Sequence, residues 1–270
     1  MTINSSTTST PITSASPQIL VAQDERILRI QFNRPERKNA LSLAMYAALA
    51  DIIHAANNDR SVRVLALSGV NECFTSGNDL LDFMNDPEIR DTHPVVRFMV
   101  ALQNCQKPVV AVVQGHAVGI GTTLLLHCDL VYAAKDARLQ LPFVNLGLAP
   151  EYASSYLVPR LVGQQKAAEL LLLGESFTGS DAEKMGFVNA AVSSDELISF
   201  AESKIQRLAN QPPAAVRRAK LLLKKTQHQG VETALAAEFI GFAEGLNSDE
   251  CKESVTAFFE KRAPDFSRFE

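Results

Sequence analysis

Residues 115–160 read GHAVGIGTTLLLHCDLVYAAKDARLQLPFVNLGLAPEYASSYLVPR. The turn Gly119-Ile120-Gly121 leads into an apolar run of helical character, and a β-rich segment follows. One acidic residue, Glu151, then stands directly after Pro150 among apolar and small neighbours. Backbone N–H groups at a helix start have no intrahelical partner, so they can hold a developing oxyanion. A carboxylate in apolar surroundings has its pKa raised, because burial penalises the charged form. Together these parts suffice to take a proton from the carbon beside a carbonyl.

Outward from this stretch the chain alternates strand, turn and helix. Residues 18–22 and 27–33 form two short β-type runs around the polar Gln23-Asp24-Glu25. Ser42 is placed to cap a helix whose apolar stripe includes Leu43, Ala47, Ile52 and Ile53. Residues 62–67 and 109–113 are β-branched, apolar and end near glycine, which predicts buried strands. A helix is predicted over residues 94–103. After Ser193 the pattern turns almost wholly helical, over residues 195–208, 213–227, 231–246 and 249–261. An α/β core followed by a helical region is therefore expected. Residues 2–17 are rich in Ser and Thr and carry no charge, a composition that does not offset its ordering entropy. The expected division is a disordered tail over 1–17, a core over 18–193 and a helical region over 194–270.

The bulk numbers narrow the function classes. A chain of 270 residues can bury a sizeable core, and a net charge of -4 gives no footprint for nucleic acid. No apolar run approaches the ~18 residues needed to span a bilayer. Neither nucleic acid nor membrane is expected as a partner. Residues 2–17 lack the pattern of a secretory or mitochondrial address, the last residues are not a peroxisomal tripeptide, and a cytoplasmic location is the expectation. Cys73, Cys105, Cys128 and Cys251 show no metal or redox spacing, and His116 and His127 have no partner at metal spacing. No metal site is expected.

Several strings occur in a telling order. They are Asn33-Arg34-Pro35 through Asn39-Ala40-Leu41, Phe74-Thr75-Ser76-Gly77-Asn78-Asp79-Leu80, Lys107-Pro108-Val109-Val110-Ala111, the segment 115–129, and Ala257-Phe258-Phe259-Glu260-Lys261-Arg262. In this order the chain resembles the crotonase superfamily, the enoyl-CoA hydratase/isomerase fold, from about residue 18 onward. The resemblance implies an α/β superhelix of ββα turns with a helical C-terminal oligomerisation region. It implies a homotrimer or a dimer of trimers. It also implies chemistry on an acyl-CoA thioester, with coenzyme A arriving as part of the substrate and no separate cofactor. The enolate oxygen would be held by the backbone N–H groups of Asn78 and Ile120.

The carboxylates separate reactions within that superfamily. Its hydratases carry one glutamate two residues after the last glycine of the turn and another after a Gln-Pro pair. Here those positions hold Thr123 and Phe143. Thr123 is no strong base and Phe143 has no acid or base function. Glu151 lies farther along, in a string that resembles the peroxisomal-type Δ3,Δ2-enoyl-CoA isomerases. One carboxylate is what a 1,3-proton shift needs. The expected activity is conversion of a 3-enoyl-CoA to the trans-2-enoyl-CoA with Glu151 as acid and base. The alternatives are rearrangement of a ring-derived acyl-CoA and a non-catalytic acyl-CoA-binding or scaffold protein.

Ser76, Asp79, Leu80, Gly119, Ile120 and Phe143 are expected to shape the site, with Asp79 bonding nearby backbone. By the same resemblance Arg34, Lys38 and Lys261 are candidates for the CoA nucleotide. Arg217, Arg218, Lys220, Lys224 and Lys225 read as a solvated or intersubunit basic helix face.

Overall fold

A computed structural model describes residues 11–79, 81–82, 90 and 92–269. Strand β2 (Ile27–Phe32) decides the layering locally: Leu28, Ile30 and Phe32 are buried on one face, while Arg29 and Gln31 share the other face with the buried Ile27. Arg29 there forms paired 2.8 Å hydrogen bonds to Glu202. β1 (Ile19–Asp24) runs antiparallel beside β2. The strands β3 (Val64–Gly69) and β4 (Val109–Val113) are nearly continuous apolar runs. That composition fits parallel strands covered on both faces.

The first helix, α1 (Leu43–Asn58), starts where expected, with Ser42 Oγ accepting from the Met45 N–H at 3.3 Å. Its buried face, Met45, Leu49, Ile52, Ile53 and Ala56, packs with α2 (Pro94–Gln103). Full burial of such a side chain contributes ~1.5–3 kcal/mol. Next come β5 (His116–Val118), the one-turn α3 (Ile120–Thr123), β6 (Leu130–Ala134), β7 (Arg138–Gln140), α4 (Ser154–Val162), α5 (Gln164–Leu173), β8 (Phe177–Thr178), α6 (Gly179–Lys184) and β9 (Ala190–Val192). Among the described residues, one sheet has the order β1-β2-β3-β4-β6-β9, parallel from β2 onward, and a second has the order β5-β7-β8.

The C-terminal helices are α7 (Ser194–Ala209), α8 (Pro213–Lys225), α9 (His228–Asn247) and α10 (Asp249–Glu260). They do not form a separate body after residue 193. Leu197, Ala201, Ile205 and Ala209 of α7 and Phe242 of α9 belong to the same hydrophobic cluster as the sheet. The basic face of α8 is also not simply solvated. Lys220 is buried, and its Nζ donates to Asp129 Oδ2 at 2.6 Å and to the Lys107 carbonyl at 2.7 Å. Leu221, Leu222 and Leu223 on the same helix stand exposed.

The Ser/Thr-rich segment meets the body before residue 18. Ile12 packs against the core, Ser16 is buried, and the Ile19 N–H bonds the Ser16 carbonyl at 3.1 Å. Residues 1–10 lie outside the described residues. None of the described helices is long and apolar enough to cross a membrane.

Candidate active site

Two loops meet through parallel bridges, Thr75 beside Ala117 and Leu41 beside Asn78. The Val118 N–H donates to the Thr75 carbonyl at 3.1 Å. Gly77 sits at φ +95°, and a Cβ there would stand 2.7 Å from the Val118 carbonyl oxygen. Only glycine allows this approach without strain. The Gly77 N–H is tied to Thr75 Oγ1 at 3.1 Å, and the Gly119 N–H to the Gln140 carbonyl at 3.0 Å. The next amide on each loop, Asn78 and Ile120, has no acceptor among the described residues. Both residues line one cavity of about 990 Å³. The helical run behind Ile120 is short, α3 followed by a 3-10 turn at Leu124–His127. The site therefore relies on free N–H groups more than on a long helix dipole.

Asn39 explains why the first loop holds its shape. It is fully buried, its Oδ1 accepts from the Arg34 N–H at 2.9 Å, and its Nδ2 reaches the carbonyls of Val70 and Cys73. Tyr46 of α1 donates its hydroxyl to Asn78 Oδ1, which fixes that side chain from below.

Among the described residues, the carboxylates lining the cavity are Asp79 and Glu151. They differ in state. Burial opposes ionisation of Asp79, but its 2.6 Å bond to Arg34 and a backbone bond from Leu81 hold it below the ordinary carboxylate range. Asp79 is thus a spent anion. Glu151 is buried, and burial first, then the charge of Glu238, push its pKa up to about 8. Its Oε1 accepts from Thr123 Oγ1 at 3.4 Å. Phe143 supplies apolar wall.

Most of the expected site residues line this cavity: Lys38, Ser76, Asn78, Asp79, Gly119, Ile120, Phe143 and Glu151. Arg34 does not. Its guanidinium is committed to Asp79 and to the Ala40 carbonyl, so it braces the loop that carries Asn78 instead of facing a ligand. Lys261 also stands off the cavity, capping α10 in the left-handed conformation, while Lys252, Thr256, Phe258 and Phe259 of that helix line it. Leu80 lies outside the described residues. His116 lines the cavity and is exposed. His127 is buried, stacks on Tyr152 at 3.7 Å, and is pushed down to about 3 by burial.

Sequence reasoning missed two contributors. Thr123 had been set aside as a lost glutamate, yet it is the hydrogen-bond partner of Glu151. Glu238 had no assigned role. Its signal was a lone carboxylate in the apolar run Ala236-Ala237-Glu238-Phe239-Ile240.

A family model described as enoyl-CoA hydratase/isomerase matches residues 22–268. The chain belongs to the enoyl-CoA hydratase/isomerase family. The solved structure of Pseudomonas aeruginosa OdaA is 44% identical with a TM-score of 0.88, over 90% of this chain and 99% of that one. The 2,3-dehydroadipyl-CoA hydratase of Escherichia coli is 32% identical over 92% of this chain and 98% of its own length. The mouse peroxisomal enoyl-CoA delta isomerase 3 is 33% identical over 92% of this chain and 80% of its own length. The relatives of this enoyl-CoA hydratase/isomerase family member thus include both hydratases and isomerases, and overall similarity does not choose between them.

Proposed function

We propose that the protein is a Δ3,Δ2-enoyl-CoA isomerase in which Glu151 carries the proton in both steps. The observation that carries this reading is that, among the described residues, Glu151 is the one available carboxylate on the cavity wall, with Asp79 locked to Arg34 and residues 123 and 143 lacking acid function. The Glu151 carboxylate takes a proton from C2 of the 3-enoyl thioester. The C–H electron pair moves into a dienolate, whose oxygen accepts hydrogen bonds from the Asn78 and Ile120 amides. The same carboxyl returns the proton to C4, and the double bond ends between C2 and C3. No water enters the balance. The apolar wall of Phe143, Leu148, Phe242 and Leu246 supports exclusion of water from the dienolate.

A pKa near 8 suits this cycle, because a group that takes and returns one proton works best near the operating pH. Lys38 and Arg37 line the mouth of the cavity and are suited to the nucleotide phosphates of the CoA carrier. Self-association into a trimer or a dimer of trimers is part of the reading, supported by the exposed leucines of α8.

The test uses pure protein without added cofactor, given a trans-3-enoyl-CoA, a trans-2-enoyl-CoA and a ring-derived acyl-CoA. The expected result is conjugated 2-enoyl-CoA from the first substrate at unchanged mass. Hydration of the second by the mass of one water, with no isomerisation of the first, would reject the reading.

A further inference from the structure

Tyr152 and Ala153, which directly follow Glu151, both adopt the left-handed conformation, at φ 57° and 58°. Non-glycine residues persist there only where surrounding structure holds them. Three contacts do so from outside the loop. His127 Nε2 meets the Tyr152 carbonyl at 2.8 Å, and the Tyr152 hydroxyl donates to the Met99 carbonyl at 2.7 Å. The third is Glu238 of α9. Its Oε2 accepts from the Ala153 N–H at 2.5 Å, and its Oε1 accepts from the N–H of Ser155 at 2.8 Å and from the Ser155 hydroxyl.

Glu238 is buried and does not line the cavity, so it acts through the backbone it holds and through its charge. Both of its oxygens serve as acceptors, which suits an ionised side chain. Burial pulls the other way and raises its pKa. Close approach of α9 is built in: a Cβ on Gly245 would stand 2.9 Å from the Gly147 carbonyl oxygen and 3.2 Å from Leu148 Cα. Four residues along from Glu238, Phe242 faces the cavity. One helix face thus supports the elbow and walls the pocket.

We propose that Glu238 is a positioning residue: it holds the Glu151-Tyr152-Ala153 elbow that aims the Glu151 carboxyl into the cavity, and its charge helps keep that carboxyl a proton carrier. This rests on the reading of Glu151 as the base. The charge that acts on Glu151 is that of Glu238 from α9, while Glu151 in turn raises the pKa of Tyr46 on α1 and of the adjacent Tyr152. Among the described residues, no cation contributes.

The test compares Glu238→Gln, Glu238→Asp and Ser155→Ala in the full-length protein. Each is read by kcat and KM for 3-enoyl-CoA and by carboxyl-carbon NMR titration of Glu151, assigned by its loss in Glu151→Gln. In Glu238→Gln the amide group must face one N–H donor, so a bond and the charge are both lost. The expected result is a kcat loss on the order of 10- to 100-fold with a much smaller change in KM. The Glu151 titration should move to lower pH. Ser155→Ala keeps the charge and should leave the titration in place. A folded Glu238→Gln protein with wild-type kcat and wild-type titration overturns the proposal. If that variant does not fold, Glu238→Asp decides. It keeps the charge but shortens the reach, so lowered kcat with an unmoved titration supports the proposal, and unchanged kcat overturns it. Failure of the base assignment looks different: Glu151→Gln stays active whatever the titration of Glu151 shows.

Discussion

Glu151→Gln is expected to lower kcat for 3-enoyl-CoA isomerisation by on the order of 10³-fold, within the usual range for loss of a general acid or base. Glutamine keeps the shape, and its carbonyl still accepts from Thr123 Oγ1, but it takes up no proton. CoA-ester affinity should hold, because the proposed contacts of the carrier are Arg37 and Lys38, not residue 151. The variant should also be more stable than the wild type. The folded-state pKa of Glu151 is about 8, against an ordinary 4.5. Between those values the folded protein retains a proton that the unfolded chain releases, so this group's contribution to stability falls as pH rises through that window. The full penalty is present above about pH 8 and absent below about pH 4.5. Glutamine removes it, for a gain on the order of a few kcal/mol at pH 8 that shrinks toward pH 5. Denaturant melts at the two pH values, run beside steady-state kinetics, check both halves. A variant with lower stability and near wild-type kcat contradicts the assignment.

Gly77→Ala should be the most damaging single methyl addition in the site. The added Cβ would sit 2.7 Å from the Val118 carbonyl oxygen at a φ of +95°. Relief requires the two loops to part, and the Asn78 amide moves with them. Loss of one oxyanion donor costs roughly 10²–10³ in kcat. Left-handed strain adds a stability loss of about 1–3 kcal/mol. Gly163→Ala is the matched control. Gly163 also has positive φ, at +82°, but nothing lies within 4 Å of its Cβ position, and it is not on the cavity wall. It should lose stability and keep kcat. Equal kcat losses in the two variants would mean that the Gly77 effect is general strain and not displacement of a donor.

Much of this site was legible because its parts are local in the chain. A glycine turn frees a backbone donor, and the resemblance of Ser76-Gly77-Asn78 and Gly119-Ile120-Gly121 to the family's turns is what pointed to Asn78 and Ile120. Glu151 stood out as a charge in apolar sequence, and burial is the largest cause of its raised pKa. The strands and the C-terminal helices likewise follow from runs and periodicity, apart from shifts of a residue or two at their ends.

What escaped was set by distance along the chain. Arg34 resembled a nucleotide contact, but Asp79, far away in sequence, captures it. Glu238 reaches the loop after Glu151 only because α9 folds back on α4. Lys220 reads as part of a solvated or intersubunit helix face, but Asp129 and the Lys107 carbonyl bind it within the chain. A long-range partner leaves no periodicity, and a charged side chain bears no mark of its eventual burial. The change of pattern after residue 193 marks where the C-terminal helices begin, and it does not show that the apolar face of α7 joins the core of the sheet.

The central claim is that one buried carboxyl, Glu151, does the proton work. The pH dependence of kcat/KM for a 3-enoyl-CoA, taken from pH 6 to 10 in the wild type, tests it most directly. Abstraction needs the ionised form, so kcat/KM should rise with pH along a single limb and level off above an apparent pKa of about 8. A profile already flat at pH 6, or one whose limb falls in the ordinary carboxylate range, would contradict it.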